Sequence, residues 1–160
     1  MFYGSSLKGA GLNVMNDIVQ KLMDLLSLTP IDDDLFLGSS EDLGFHSVFG
    51  GQVIGQALMA AFQTVDSKRS ANSLHAYFLK PGDPDHDIVY EVTSINDGRT
   101  FCARRVNARQ HGQEILTMTA SFQSHEEGLD HQIDGPLVVG PHDLHSEVEL
   151  RRKIAHLIPE

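Results

Sequence analysis

Hydrophobic and polar positions alternate along this chain with two different periods. Ile18, Leu22, Leu25 and Leu26 recur at helical spacing, with Asp17, Gln20, Lys21 and Asp24 between them. That pattern predicts an amphipathic helix from Asn16 to about Leu28, stopped by Pro30. A short strand over Leu35 to Leu37 and a loop over Glu41 to Val48 follow. From Phe49 to Val65 no charged residue occurs. Val53, Ile54, Ala57, Leu58 and Ala61 share one helical face, and the rest of the circumference is small or uncharged. A helix without charge on any side is a buried helix, so other elements must wrap it.

Strand patterns supply the wrapping. Ser73 to Leu79 leads into a Lys-Pro-Gly-Asp turn, and Ile88 to Ile95 leads into Asn-Asp-Gly, a strong hairpin signal. Thr100 to Ala108 leads into a turn around His111 and Gly112, and Glu114 to Gln123 closes the series. In that last segment Leu116, Met118, Ala120 and Phe122 alternate with Thr117, Thr119 and Ser121. Consecutive strands joined by short turns pair antiparallel, so four strands in a meander are expected. The fold class is therefore α+β, with a curved antiparallel sheet around one central helix. Residues 1 to 14 show no period and read as a disordered leader or added residues. The structured domain is expected over 15–124. A polar tail over 125–160 carries a short helix near Val148 to Ile158.

Composition narrows the possible functions. The 160 residues suffice for one domain with its own core. A formal net charge of -10 argues against nucleic acid, which demands clustered Lys and Arg. No apolar run spans a bilayer, and no secretory signal is visible near Met1. The single cysteine, Cys102, excludes an intrachain disulfide framework and points to a reducing, cytoplasmic compartment. Four of the twelve basic residues, Arg99, Arg104, Arg105 and Arg109, fall in one short stretch. They read either as a solvated strand face or as a local positive site for phosphates.

Five blocks carry a resemblance. They are Ser40-Glu-Asp-Leu-Gly44, Val48-Phe-Gly-Gly-Gln-Val-Ile-Gly-Gln-Ala-Leu58, His75-Ala-Tyr-Phe-Leu-Lys-Pro-Gly-Asp83, Asp97-Gly-Arg-Thr-Phe-Cys-Ala-Arg-Arg-Val106 and Met118-Thr-Ala-Ser-Phe-Gln123. In order and spacing they are similar to the first half of the acyl-CoA thioesterase II family, from about Met15 onward. The resemblance implies a hot-dog fold and hydrolysis of a fatty acyl-CoA to free acid and coenzyme A. Family members are double hot-dogs of nearly twice this length, and their catalytic Asp, hydroxyl residue and Gln lie in the second half. Those roles transfer to no residue of this chain, which is expected to be catalytically incomplete alone.

The chemistry of the residues agrees with that expectation. Thioester hydrolysis needs an activated water and donors for the developing oxyanion. The central helix offers no Asp or Glu before Asp66. Gln52 can orient a water but cannot take its proton, and His75 is the other weak candidate for the catalytic role. Gly50 and Gly51, at the helix start, either present bare N–H groups to a substrate carbonyl or simply permit a tight turn. Arg104 and Arg105 are the candidates for coenzyme A phosphates. Asn72 and Ser73 are weaker groove candidates, and His46 could reach the helix start. The tail residues His125, His131, His142 and His145 match no ligand spacing, so no metal and no cofactor are expected. The acidic turn Asp83-Pro-Asp-His-Asp87 reads as solvated, and Cys102 as a small buried hydrophobe.

Acyl-CoA is the implied partner. A homodimer, or pairing with a second hot-dog domain, is expected because an exposed sheet edge seeks a partner. Two alternatives remain open: a self-sufficient single hot-dog enzyme, and a non-catalytic acyl-CoA-binding or dimerisation module.

Overall fold

A computed structural model describes residues 7–155, with side chains from residue 17 onward. The chain divides into two units, 1–126 and 127–160. The first contains α1 (Leu7–Leu26), β1 (Thr29–Asp32), β2 (Leu35–Gly38), α2 (Gly50–Phe62), β3 (Arg69–Phe78), β4 (Ile88–Asp97), β5 (Phe101–Gln110) and β6 (Gln113–Ser124). All six strands form one antiparallel sheet in the order β1-β2-β4-β5-β6-β3.

Alternation along β5 and β6 decides which side of the sheet is dry. Cys102, Val106 and Ala108 on β5 and Leu116, Met118, Ala120 and Phe122 on β6 are buried. Register pairs Val106 with Met118, Ala108 with Leu116 and Cys102 with Phe122, so these side chains share one face. α2 lies against that face and contributes Val53, Ala57, Ala60 and Ala61. Three alanines, each fully buried, let the helix backbone approach the sheet closely. At its far end Phe62 meets Phe122 edge to face, with centroids 5.0 Å apart. The expected helix in a curved sheet is what forms.

Two expectations need correction. The strands are not a simple four-strand meander: β4, β5 and β6 are, but β3 pairs with β6 at one edge and not with β4. The connection over 79–87 is too long for a tight hairpin and crosses the end of the sheet instead. It is held there by Val48 N–H donating to the Gly82 carbonyl (2.9 Å) and Leu79 N–H donating to that of Ile115 (2.9 Å). The first helix also begins at Leu7, inside the segment expected to lack structure. Helical hydrogen bonding can propagate beyond an amphipathic stretch once nucleated, without an apolar period of its own.

The turns follow the sequence signals. Gly98 N–H donates to the Phe101 carbonyl at 2.9 Å, and a Cβ on Gly98 would lie 2.8 Å from that same oxygen. Only glycine fits there. His111 and Gly112 both have positive φ, 50° and 73°, the requirement of a two-residue type I′ hairpin. In the second unit, α3 (Glu147–Ile154) starts with a capping box between Ser146 and Glu149.

Candidate functional site

The start of α2 is the most open part of the buried helix. Its N-cap, Phe49, has no capping side chain, and the first turn contains no acidic residue. The leading N–H groups of the helix therefore lack the carbonyl partners that later turns provide. Gly50 and Val53 border a cleft of about 440 Å³ lined also by Ser47, Val48, the run Phe78 to Gly82, and Ile115. This wall contains no carboxylate and no histidine. Its one charged group is Lys80, whose Nζ donates to Gln113 Oε1 at 2.7 Å. A Cβ on Gly50 would sit 2.8 Å from the Phe78 ring, and one on Gly51 2.4 Å from the Phe49 ring. The two glycines thus let aromatic rings approach the helix start more closely than any side chain would allow.

One turn further along, the helix is tied down by glutamines. Gln52 is buried, and its Nε2 donates to the Ser39 carbonyl at 3.0 Å. Gln56, fully buried, donates to the carbonyls of Leu25 (2.7 Å) and Ser39 (2.9 Å) and accepts from the Tyr90 hydroxyl (2.7 Å). These bonds fasten the last turn of α1 and the segment after β2 to α2. Burial raises the Tyr90 pKa, so its hydroxyl stays a donor. Gln52 Oε1 is buried without a partner among the described residues. Gln52 also lines an apolar groove of about 610 Å³ with Ile18, Leu22, Leu25, Leu43 and Phe49. It therefore faces α1 rather than the cleft at the helix start.

The other end of α2 is closed by Arg104. A guanidinium has five N–H donors, and all five of Arg104's are used. Nε donates to Thr64 Oγ1 (2.9 Å), Nη1 to the carbonyls of Asn96 (3.3 Å) and Ala103 (3.1 Å), and Nη2 to the Thr64 carbonyl (3.0 Å) and Asp97 Oδ1 (2.7 Å). Only 5% of the residue is exposed. This corrects the phosphate reading for Arg104: it points inward, below the helix C-terminus, with no donor left for a ligand. Because α2 has 13 residues, this end lies about 20 Å from Gly50.

His75 and Arg105 sit on the opposite side of the sheet. Register runs Thr93–Arg105–Thr119–His75 across four strands, on the face turned away from α2. His75 is exposed and packs edge to face against Tyr77 at 4.7 Å. Within one chain it therefore lies across the sheet from the start of α2. Arg105 is exposed and makes no hydrogen bond or ion pair with another described residue. Arg109 is engaged by Glu114 and Glu91 at 2.9 and 3.3 Å, which raises its pKa. Asn72 lines only a small hollow, of about 230 Å³, beside Gln123. His46 is exposed, and Cys102 is buried and free. The candidates therefore do not converge on one site.

What the sequence did not signal is the role of Gln56. Nor did it signal the approach of His86 and His111 to Asp83: His86 Nδ1 lies 2.9 Å and His111 Nε2 3.3 Å from Asp83 Oδ2. His111 lies 28 residues from Asp83 in the chain, so no shared spacing pattern announces its approach.

A helix start opening on a carboxylate-free cleft, within this sheet, agrees with what known proteins add. Residues 39–123 match the family model described as the acyl-CoA thioesterase N-terminal domain. The chain belongs to this family. It is 47% identical over 146 residues to acyl-CoA thioesterase 2 of Haemophilus influenzae, covering 91% of this chain and 51% of that protein. Acyl-CoA thioesterase II TesB2 from Mycobacterium marinum superposes with a TM-score of 0.67 at 39% identity, over 76% of this chain and 45% of that one. A protein described as having the hot-dog fold, from Alicyclobacillus acidocaldarius, gives a TM-score of 0.66 at 24% identity, over 78% and 48% of the two chains, and shows the fold. The present chain spans about half the length of the curated relatives it matches, or less. Among the described residues, no helix is long and apolar enough to cross a membrane.

Proposed function

We propose that this chain is the N-terminal half of an acyl-CoA hydrolase, which binds a fatty acyl-CoA but is not catalytically complete alone. The observation that carries this reading is the cleft at the start of α2. It offers the helix start at Gly50 to polarise a thioester carbonyl, and no group that could take a proton from water. The base would then come from a second hot-dog domain.

The free edge of β3 supports such a pairing. Among the described residues β3 is bonded only to β6, and Leu74, Tyr77 and Phe78 are exposed along it. An unpaired edge with apolar flanks is a surface that seeks another strand, from a second domain or from a second copy in a homodimer. In this reading residues 15–124 form the hot-dog domain and 125–160 a segment leading away from it. Arg105 keeps its donors free for coenzyme A phosphates. The lone cysteine supports a reducing, cytoplasmic setting.

Thiol release from medium- and long-chain acyl-CoA, measured for this chain and for its fusion to the C-terminal half of the Haemophilus influenzae relative, tests the reading. The chain should bind acyl-CoA without turnover, and the fusion should hydrolyse it. Turnover by the chain alone, abolished by Gln52→Ala, would sink the half-enzyme reading. Binding without turnover in either form would favour the alternative, a non-catalytic acyl-CoA-binding or dimerisation module.

A further inference from the structure

The loop over 79–87, which forms one wall of the cleft, is sewn to the β5–β6 hairpin by a single buried side chain. Gln110 is 5% exposed. Its Oε1 accepts from Asp83 N–H (2.8 Å), and its Nε2 donates to the carbonyls of Asp83 (2.9 Å) and His86 (2.7 Å). All three bonds hold the same short turn, so the Asp83 and His86 side chains start from a fixed backbone. Across from them stands His111, in the first position of the hairpin turn with φ of 50°. A left-handed residue other than glycine costs about 1 kcal/mol or more, so this placement is maintained against local strain.

The result is three donor atoms aimed at one point. Asp83 Oδ1 is occupied by the Asp85 N–H at 3.0 Å, which turns Oδ2 toward the imidazoles. His86 Nδ1 and His111 Nε2 lie 2.9 and 3.3 Å from that oxygen, the rings meet edge to face with centroids 4.4 Å apart, and all three donor atoms lie within 4.8 Å of one another. Two ligands on a tetrahedral zinc ion, each near 2.0–2.1 Å from the metal, stand roughly 3.4 Å apart. The observed spacings need shifts of only tenths of an ångström to more than one ångström, well within the reach of half-exposed side chains. The set contains two imidazoles and one carboxylate, the mixture that borderline divalent ions select over calcium or magnesium.

We propose that Asp83, His86 and His111 form a three-ligand site for a divalent transition-metal ion of the zinc class. Water would fill the remaining coordination, since both histidine side chains are 56% exposed. The Asp83 carboxyl is held below the ordinary carboxylate range, first by the Asp85 N–H and then by the two histidines, so it is ionised at neutral pH. The Gln110 brace and the Asp85 amide act as the outer contacts that orient metal ligands. Such an ion would clip the cleft wall, Leu79 to Gly82, to the hairpin. The sequence expectation of no metal rested on the tail histidines, and none of these joins the cluster among the described residues.

Cobalt(II) titration of the metal-free 160-residue chain, followed by visible absorption, tests the proposal, with zinc competition as the second readout. One equivalent of cobalt should bind, develop ligand-field bands and be displaced by zinc. His86→Ala and His111→Ala should each weaken binding at least tenfold, while His131→Ala should leave it unchanged. All three side chains are exposed, so the variants should melt with wild-type Tm without metal, and zinc should raise the Tm of wild type and of His131→Ala well above that of His86→Ala or His111→Ala. Absence of binding to wild type, or an equivalent that survives in the His86→Ala/His111→Ala double variant, would overturn the proposal.

Discussion

The two ends of α2 are built on opposite terms. At the C-terminal end the carbonyl of Thr64 meets a buried cation, and every donor of that cation has an acceptor. At the N-terminal end the helix start at Gly50 meets a cleft with no anion in its lining, and the helix has no capping side chain. A helix dipole is stabilised by a cation at its C-terminus and by an anion at its N-terminus. This helix takes the first stabilisation from its own chain and leaves the second to something that enters the cleft. One end is structural, and the other is available.

That contrast is open to direct attack. Arg104→Met should cost the most, about 3 kcal/mol, because Thr64, Asn96 and Ala103 lose their donor inside the fold. Urea denaturation measures it, and a loss under 1 kcal/mol would mean that the closed end is not structural. Gln56→Leu should follow at about 2 kcal/mol, through the stranded Tyr90 hydroxyl and Leu25 carbonyl. Its partial rescue by Tyr90→Phe would tie the loss to that bond.

Gly50→Ala should change stability by less than about 1 kcal/mol, since alanine favours the helix while its Cβ pushes on the exposed Phe78 ring. Yet it should weaken acyl-CoA binding, read by calorimetry. Unchanged affinity would show that the open end is not where the ligand sits. Smallest is a pH effect at the closed end. Hydrogen bonds from Ser94 and then from Arg104 depress the Asp97 pKa. The stabilisation is complete above the unfolded value, about 4, and is lost as pH falls through the lower folded value. Asp97→Asn should flatten the stability profile below about pH 4; an unaltered slope would exclude this pair as its source.

Much of this architecture can be read from period alone. The uncharged stretch from Phe49 identifies α2 as a buried helix, and the alternation from Leu116 to Phe122 identifies the dry face of β6. The same arithmetic applies to β5, where Arg104 shares parity with Cys102, Val106 and Ala108. Its charge suggested a ligand contact, while its position required burial, and position decided. β1 escaped notice because Thr29 to Asp32 is exposed throughout and contains Pro30. The pairing of β3 with β6 was hidden because neighbours in sequence suggested β4 instead. The partners of Gln56 come from three elements, and no local signal announces them.

β3 joins the sheet only across a long stretch of chain, Arg69 opposite Ser124 and Phe78 opposite Leu116. The β4–β5 and β5–β6 hairpins need only short loops to close, so loop entropy favours the meander before either β2 or β3 docks on it. A strand that docks late and with one neighbour opens readily, and amides of β3 should exchange with solvent faster than those of β5. The edge that offers itself to a partner is thereby also a late-closing seam of the fold, and a strand added beside it would act as a clasp on the whole sheet.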